Sequence, residues 1–224
     1  MTKKPSCNNI DQSVVYHGGE RNRRFVECLY GTAEQAIGEI TPGCEIFGFT
    51  KGQFSLMDVI AHILSYTGPA SVDISTWTAG KADISHAEKF LHDGHITSAR
   101  WIVDRSFPSR QKEYFKGLIK RFGPESIRMT RTHAKFCLIK NEDWKIVLRS
   151  SMNLNRNPRF ENFEISDDPS MCEFFTEMVD AIFSQPDVGR MPTTAELDEW
   201  FKGASIRGES YDRRDTSLPS MGWL

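Results

Sequence analysis

The residues of this sequence best suited to chemistry are a histidine and a lysine, His133 and Lys135, in the segment THAK at 132–135. The alternating residues around them predict a β-strand, in which side chains two positions apart project from the same face. Burying both groups in a core would require carboxylate partners, and the apolar neighbours supply none. A phosphate suits the pair better, because an imidazole can react at phosphorus while an ammonium neutralises a non-bridging oxygen.

More polar residues follow one strand and one turn later. The segment SSMN at 150–153 contains Ser151 and Asn153, whose hydroxyl and amide can hydrogen-bond the remaining oxygens of a phosphate. The same residue types also form turns and helix caps, which is the alternative interpretation of these two positions. The segment NFE at 162–164 adds a carboxylate, Glu164. Glu161, three residues earlier, is the alternative candidate for the acidic residue of such a site.

The order and spacing of HAK at 133–135, SSMN at 150–153 and NFE at 162–164 resemble the phospholipase D superfamily. The signature of that family is HxK, an Asp after four intervening residues, then (G/S)SxN and a downstream acid. The resemblance covers roughly residues 40–185. Two positions depart from the signature, since Lys140 stands where the family has Asp and Ser150 where Gly is more usual. The motif therefore keeps His, Lys and Asn but lacks the Asp, which makes it HKN rather than HKD. Nucleic-acid-processing members of the superfamily also show this variation.

This resemblance implies a metal-independent phosphodiesterase that works through a phosphohistidine and uses no cofactor. His133 would attack the phosphodiester, Lys135 and Asn153 would hold the phosphoryl oxygens, Ser151 would be a secondary donor, and Glu164 would fix the tautomer of the imidazole. The chemistry needs two histidines, yet none of the other five begins a second HxK: His17, His62, His86, His92 and His95. A single-motif chain therefore implies a homodimer in which each subunit contributes one set of His133, Lys135 and Asn153 to a shared active site.

Three functions follow from these residues. A nuclease acting on DNA or RNA is the leading hypothesis, because the chain carries a single motif of the HKN kind. A phospholipase or phosphatidyl transferase is the enzymatic alternative, although such proteins normally carry two motifs in one chain. A catalytically silent module that binds nucleic acid in the same pocket is the alternative from a different class.

Substrate-binding candidates come from the loops that should follow the predicted strands. Trp77 could stack on a base or fill the core, Ser55 closes the loop after the first strand, and Arg156 and Arg159 could bind flanking phosphates. The histidines at 86, 92 and 95 lack carboxylate or cysteine companions at ligand spacing, so no metal site is predicted.

Charge is distributed unevenly along the chain. The formal net charge is −2, but residues 100–149 contain 13 Lys and Arg against 5 Asp and Glu, an excess of eight positive charges. Such a segment could steer an anionic substrate, and a pair of solvated helix faces would have the same composition.

The elements that must position these residues alternate between strand and helix. Apolar runs predict strands near 44–50, 71–78 and 99–104, with helices after Ser55, over about 83–93 and over about 110–122. Closely spaced strands follow over 127–132, 134–140, 145–149 and 162–166, and then a helix over 171–183. The pattern predicts an α/β fold with a mixed, largely parallel sheet flanked by helices on both faces, which agrees with a phospholipase D-like half-domain.

The ends of the chain differ in composition from its middle. We expect an irregular or partly extended lead-in over residues 1–40, a catalytic domain over 41–185 and an appendage over 186–224 with a short helix near 194–202. No apolar run approaches a membrane span and the amino terminus lacks a signal-peptide pattern, so a cytoplasmic protein without membrane contact is predicted. The five cysteines are scattered and are expected to be reduced thiols.

Overall fold

Nine strands and six α-helices make up the part of the chain that the structure describes. The computed structural model describes residues 14–18, 22–28, 31–77, 79, 81–154, 156 and 158–184. The strands are β1 (Val14–Gly18), β2 (Arg23–Cys28), β3 (Glu45–Thr50), β4 (Ala70–Thr76), β5 (Ile96–Asp104), β6 (Ile127–Thr130), β7 (Phe136–Lys140), β8 (Lys145–Ser150) and β9 (Glu161–Asp167). The helices are α1 (Ala33–Ile37), α2 (Leu56–Thr67), α3 (Lys81–His92), α4 (Phe107–Arg110), α5 (Lys112–Phe122) and α6 (Pro169–Phe183), with a 3₁₀ turn over Pro124–Ser126.

All nine strands form one sheet in the order β1-β2-β3-β9-β8-β7-β4-β5-β6. The last three strands in the sequence therefore lie in the middle, between the block β1–β3 and the block β4–β6. The α/β class and the mixed sheet are confirmed, but the sheet is not largely parallel. Parallel pairing is confined to β2–β3, β4–β5 and β5–β6, because the hairpin strands β7, β8 and β9 pair antiparallel with each other and with β4 and β3.

Helices cover both faces of the sheet, as predicted. On one face α6 packs against Leu138 and Val147 through Cys172 and Val179. On the opposite face Phe122 of α5 contacts Trp101 of β5, with ring centroids 5.0 Å apart, and α3 contacts both α5 and β5. Neighbouring residues of a strand point to opposite faces, so each face of the central strands is apolar and buried. The resulting rigid sheet holds the loops at its edges in place.

A close approach between two strands fixes the position of β9. The ring of Phe163 lies over Gly48 of β3, its cross-strand partner, and a Cβ atom at Gly48 would stand 2.3 Å from that ring. Phe163 is fully buried and also contacts Phe54, with ring centroids 6.0 Å apart. Glycine at position 48 therefore lets β9 insert between β3 and β8, which brings the first residue of β9 to the edge described below.

The terminal predictions have different outcomes. The sheet begins earlier than expected, since β1, β2 and α1 all lie within the segment predicted as a lead-in. The appendage over 186–224 and its short helix near 194–202 lie outside the described residues. Four cysteines within the described ranges are buried and form no disulfide there: Cys28, Cys44, Cys137 and Cys172.

Candidate active site

One edge of the sheet collects the polar residues that the sequence singled out. We call it the upper edge; it is formed by the carboxyl ends of β3, β8, β4, β5 and β6 and by the amino ends of β9 and β7. His133 and Lys135 directly precede β7, Ser151 and Asn153 directly follow β8, and Trp77 directly follows β4. Loops at strand ends are the usual place for ligands in α/β sheets.

His133 and Lys135 lie side by side, but in the segment before β7 and not in the strand that the sequence predicted around them, because β7 begins only at Phe136. Lys135 Nζ is 3.4 Å from His133 Nδ1 and 3.1 Å from the His133 carbonyl oxygen. The imidazole is exposed, whereas Lys135 is only 8% exposed. The segment is held to the sheet at two points, since Ser75 Oγ donates to the Ala134 carbonyl at 2.9 Å and the Ser150 amide donates to the Lys135 carbonyl at 3.0 Å. An open imidazole beside a fixed ammonium can receive an anionic ligand.

The environment of Lys135 perturbs its charge. Burial lowers the pKa of its ammonium, and the nearby Glu161 carboxylate partly opposes that shift. A lysine that is desolvated yet retains its charge interacts more strongly with an anion than a solvated one does, because the local dielectric is lower. Lys135 is therefore well placed to neutralise a phosphate.

Ser151 and Glu161 form a hydrogen-bonded pair at the start of β9. Ser151 Oγ donates to a Glu161 carboxylate oxygen and accepts from the Asn162 amide at 3.0 Å. The preceding residue, Ser150, donates to the Asn162 carbonyl at 2.6 Å and accepts from the Met152 amide at 2.9 Å. The hydroxyls of Ser150 and Ser151 therefore stabilise the turn after β8. For Ser151, the alternative interpretation as a turn residue thus applies.

Asn153 carries an unsatisfied group. Its Oδ1 atom is buried and has no hydrogen-bond partner within the described ranges. A buried polar atom without a partner costs about 1–3 kcal/mol, so such atoms are uncommon outside sites that bind a ligand or water. The Oδ1 atom of Asn153 is thus a polar atom at the upper edge that lacks a partner within the described ranges.

The structure does not bring Glu164 to His133. Arg149 Nη2 donates to Glu164 Oε1, and cross-strand pairing aligns Glu164 with Arg149 on one side and Phe47 on the other. Arg149 pairs in turn with Phe136, which packs against α6. Glu164 therefore belongs to the α6 face of the sheet. Glu161, the competing candidate, is the acid at the upper edge.

Trp77 lies against His133, and a residue that the sequence analysis missed lies against Trp77. The Trp77 and His133 ring centroids are 5.6 Å apart with the planes tilted by 53°. The Arg110 guanidinium carbon is 3.7 Å from the Trp77 ring centroid, and Arg110 Nη2 donates to the Trp77 carbonyl at 2.9 Å. Arg110 follows the predicted third strand by a few residues, which is the only signal that could have pointed to it.

The remaining substrate-binding candidates divide into two groups. Ser55 is buried and caps α2, because its hydroxyl donates to Asp58 Oδ2 at 2.9 Å and accepts from the Asp58 amide at 3.2 Å. Its side chain is thus occupied by the helix, contrary to the predicted role in binding. Arg156 and Arg159 are exposed in the loop before β9, and Arg156 Nε donates to the Gly52 carbonyl at 3.4 Å.

Lys140, at the position where the family signature has Asp, belongs to a charge network away from the upper edge. Lys140 Nζ lies 2.8 Å from Asp73 Oδ2, and Arg100 Nε lies 2.6 Å from Asp73 Oδ1. Arg100 also pairs with Asp180 of α6 at 2.6 Å. This network joins β4, β5, β7 and α6, so the departure from the signature has a structural explanation.

Two further kinds of feature are absent from the described part of the chain. Among the residues that the structure describes, no group of three or more His, Cys, Asp or Glu side chains is arranged to hold a metal ion. Within the same ranges, no helix combines the length and the apolar character that crossing a bilayer requires.

Comparisons with known proteins found likenesses in structure only. No protein-family model matches the chain, and no curated protein matches it in sequence. Among solved structures, NucT from Helicobacter pylori is similar with a TM-score of 0.46 and 17% identity over 62% of this chain and 96% of that one. A polyphosphate kinase from Porphyromonas gingivalis has a TM-score of 0.47 and 14% identity, over 74% of this chain but 32% of the kinase. TrmBL2, an archaeal chromatin protein described as showing a novel mode of DNA binding, has a TM-score of 0.39 and 10% identity over 74% of this chain and 54% of that one.

Proposed function

We propose that this protein is a metal-independent phosphodiesterase, and specifically a nuclease that hydrolyses DNA or RNA in the active site of a homodimer. The observation that supports it most is the exposed His133 imidazole beside the buried Lys135 ammonium, with 3.4 Å between Nδ1 and Nζ. Nε2 of His133 has no hydrogen-bond partner within the described part of the chain, so this atom is available to a substrate.

The first step is an attack of His133 Nε2 on phosphorus by the neutral tautomer, which carries its proton on Nδ1 and the reacting lone pair on Nε2. A P–N bond forms and the bond from phosphorus to the leaving oxygen breaks, while the partner subunit's His133, as an imidazolium, gives its proton to that oxygen. In the second step the partner's His133 takes a proton from water, the water oxygen attacks phosphorus and the P–N bond breaks. Lys135 neutralises a non-bridging oxygen in both steps, and Asn153 Nδ2 donates to another.

The second imidazole is taken from another subunit because, among the side chains that the structure describes, no other histidine lies at the upper edge. His62 contacts the Gly38 carbonyl through Nε2 at 2.6 Å, and His86, His92 and His95 lie on or just after α3. One imidazole must be neutral, to attack phosphorus, and the other protonated, to act as the general acid.

An exposed aromatic group beside the site supports the homodimer. Phe160 is 70% exposed and stacks on Phe49, with ring centroids 5.0 Å apart and planes 14° from parallel. Phe160 directly precedes Glu161, and Phe49 directly precedes the last residue of β3. Exposed apolar groups of this kind are typical of interaction surfaces, and this one adjoins the residues that a second copy would complete.

The test is cleavage in the presence of a chelator. Purified protein is incubated in EDTA with single- and double-stranded DNA and RNA, and the rate is compared with that of His133→Ala. We expect EDTA-resistant cleavage that falls at least ~100-fold in the variant, the low end of what acid–base catalysis contributes. His92→Ala, an exposed histidine whose partner is the neighbouring Asp93, is the matched control and keeps the wild-type rate.

Other outcomes would point to the alternative functions. Binding of nucleic acid without turnover would indicate a silent binding module, and release of a headgroup from phospholipid vesicles would indicate a phospholipase. Cleavage that EDTA abolishes would contradict the metal-independent mechanism.

A further inference from the structure

We propose that Arg110, together with Arg105 and Arg131, binds substrate phosphates next to the one that is cleaved, so that the substrate is a polynucleotide strand of several nucleotides that lies along the upper edge. The inference rests on the proposed function, whose chemistry needs one phosphate only. The inference adds a binding site for several more phosphates of the substrate, on the side of β5 and β6.

Arg110 is held in place by three contacts. Its Nε donates to Ser106 Oγ at 3.0 Å, its Nη2 donates to the Trp77 carbonyl at 2.9 Å, and its guanidinium lies on the Trp77 ring. A guanidinium fixed in this way loses little side-chain entropy when it binds a phosphate. Because Trp77 also contacts His133, the position of Arg110 relative to the reacting imidazole is set by a direct chain of contacts.

The charge of Arg110 is not neutralised by an ion pair in the described ranges. Asp104, the carboxylate that acts on it electrostatically, accepts hydrogen bonds from the amide and hydroxyl of Ser106. Partial burial lowers the pKa of Arg110, and the charge of Asp104 opposes that shift. A guanidinium that is partly desolvated, fixed and not ion-paired is a suitable site for a phosphate.

Arg105 and Arg131 extend the same side of the edge. The Arg105 amide donates to the Thr130 carbonyl at 2.9 Å, which places the segment after β5 beside the end of β6. Arg131 follows Thr130 directly and is exposed. The three arginines therefore follow the ends of two adjacent strands.

The spacing of strands gives the length of substrate that this side can hold. The sheet order places β4 and β5 between β7, which follows His133, and β6, which precedes Arg131. Three steps of about 4.8 Å make about 14 Å, and at about 3.4 Å per nucleotide of a stacked strand this is about four nucleotides. Lys51, Arg156 and Arg159 occupy the other side of His133, after β3 and before β9.

The kinetic test compares a long substrate with a short one. Arg110→Gln and Arg131→Gln are assayed on a 12-nucleotide DNA strand and on bis(p-nitrophenyl) phosphate, which has a single phosphate and no neighbours. We expect kcat/KM for the strand to fall ~10-fold further than kcat/KM for the small diester, since a hydrogen bond to a charged group is lost only with the strand. Lys120→Gln removes the same charge near the far end of α5 and should change neither value.

A binding test separates failure of this inference from failure of the proposed function. In a His133→Ala background, affinity for a fluorescein-labelled DNA strand is measured by anisotropy over a range of salt concentrations. We expect Arg110→Gln to weaken binding and to reduce the slope of log affinity against log salt by ~0.7, the value for one phosphate contact on a single strand.

Two results would overturn the inference while leaving the proposed function intact. The first is an equal loss on both substrates for both arginine variants, which would mean that these residues only support the fold or position His133. The second is a slope of log affinity against log salt that Arg110→Gln reduces no more than Lys120→Gln does. If no phosphodiester is cleaved at all, the proposed function fails, and the anisotropy measurement still decides whether Arg110 binds a strand.

Discussion

At the scale of single residues, Lys135 is the group whose charge matters most to the proposed chemistry. Its ammonium lies between a carbonyl oxygen and an imidazole nitrogen, and burial lowers its pKa. Since only the protonated form can neutralise a phosphate, the lowered pKa limits the pH range in which the site works.

The first prediction concerns this alkaline limit. Lys135 should lose its proton below the usual lysine value of 10.5, so kcat/KM should decline at a lower pH than an ordinary lysine would produce. In Lys135→Arg the guanidinium stays protonated throughout, so the decline should disappear even though the rate itself is lower. The pH profile of kcat/KM for both proteins is the measurement. An identical alkaline decline in the two would show that another group causes it.

The second prediction separates the two acids. Glu161→Gln removes the charge near Lys135 and weakens the hold on Ser151, so kcat/KM should fall ~10-fold or more. Glu164→Gln affects an ion pair with Arg149 on the other face of the sheet, so it should change stability more than turnover. Parallel measurement of kcat/KM and thermal unfolding for the two variants decides between them, and the reverse pattern would restore Glu164 to the site.

The sequence was sufficient for some of these residues and not for others. The HxK spacing pointed to His133 and Lys135 as a pair, although they lie in the segment before β7 and not in a strand as predicted. Proximity to a strand end placed Trp77 at the same edge. The choice between Glu161 and Glu164 depended on register, because positions three apart in a strand face opposite sides. Arg110 reaches Trp77 only through the turn of α4, which no spacing rule describes.

At the scale of elements, a buried charge network holds four elements together. Asp73 of β4, whose side chain is 6% exposed, pairs with Arg100 of β5 and Lys140 of β7, and Arg100 continues to Asp180 of α6. Burial alone would raise the pKa of Asp73, but the hydrogen bonds from Arg100 and Lys140 outweigh it and lower the pKa below 3.8. The carboxylate therefore stays charged in the folded protein.

The third prediction follows from this network. Asp73→Asn removes the buried carboxylate that Arg100 and Lys140 share, so that Arg100 keeps only Asp180 and Lys140 loses its ion pair within the described ranges. The free energy of unfolding should fall by about 3 kcal/mol at neutral pH, the low end for breaking a buried ion pair. Because the folded pKa of Asp73 is lowered, its contribution is present above pH 3.8 and is lost as pH falls through the folded value. The difference between the two proteins in urea unfolding should therefore narrow in acid. Asp93→Asn, an exposed carboxylate that pairs only with His92, should change stability by less than about 0.5 kcal/mol.

Local patterns predicted most elements from β3 to α6, because period and turn residues mark each one. They did not predict the strand order. The place of β9 beside β3 depends on Phe163 packing over Gly48, a contact between residues far apart in the sequence. The prediction of a largely parallel sheet was wrong for the same reason. Which strands pair antiparallel depends on tertiary packing, which the sequence pattern does not show.

At the scale of the whole molecule, the proposed site requires two subunits, and the fourth prediction tests that requirement. Wild type and His133→Ala are mixed in equal amounts under conditions that allow subunits to exchange. If each site needs both imidazoles, only wild-type homodimers are active, and the activity should be about one quarter of that of the same total of wild-type protein. Independent subunits would give about one half. Mixing wild type with His92→Ala is the control and should cause no loss.

The order of strands also has a consequence for synthesis on the ribosome. The blocks β1–β3 and β4–β6 are made first, but each keeps an open edge until β7, β8 and β9 emerge and fill the gap between them. Open edges invite pairing with other chains, so the nascent protein is most prone to aggregation before residue 167 leaves the exit tunnel. His133, Asn153 and Glu161 all belong to that last portion. A truncated chain that ends before it would therefore expose unpaired strand edges and lack the proposed site.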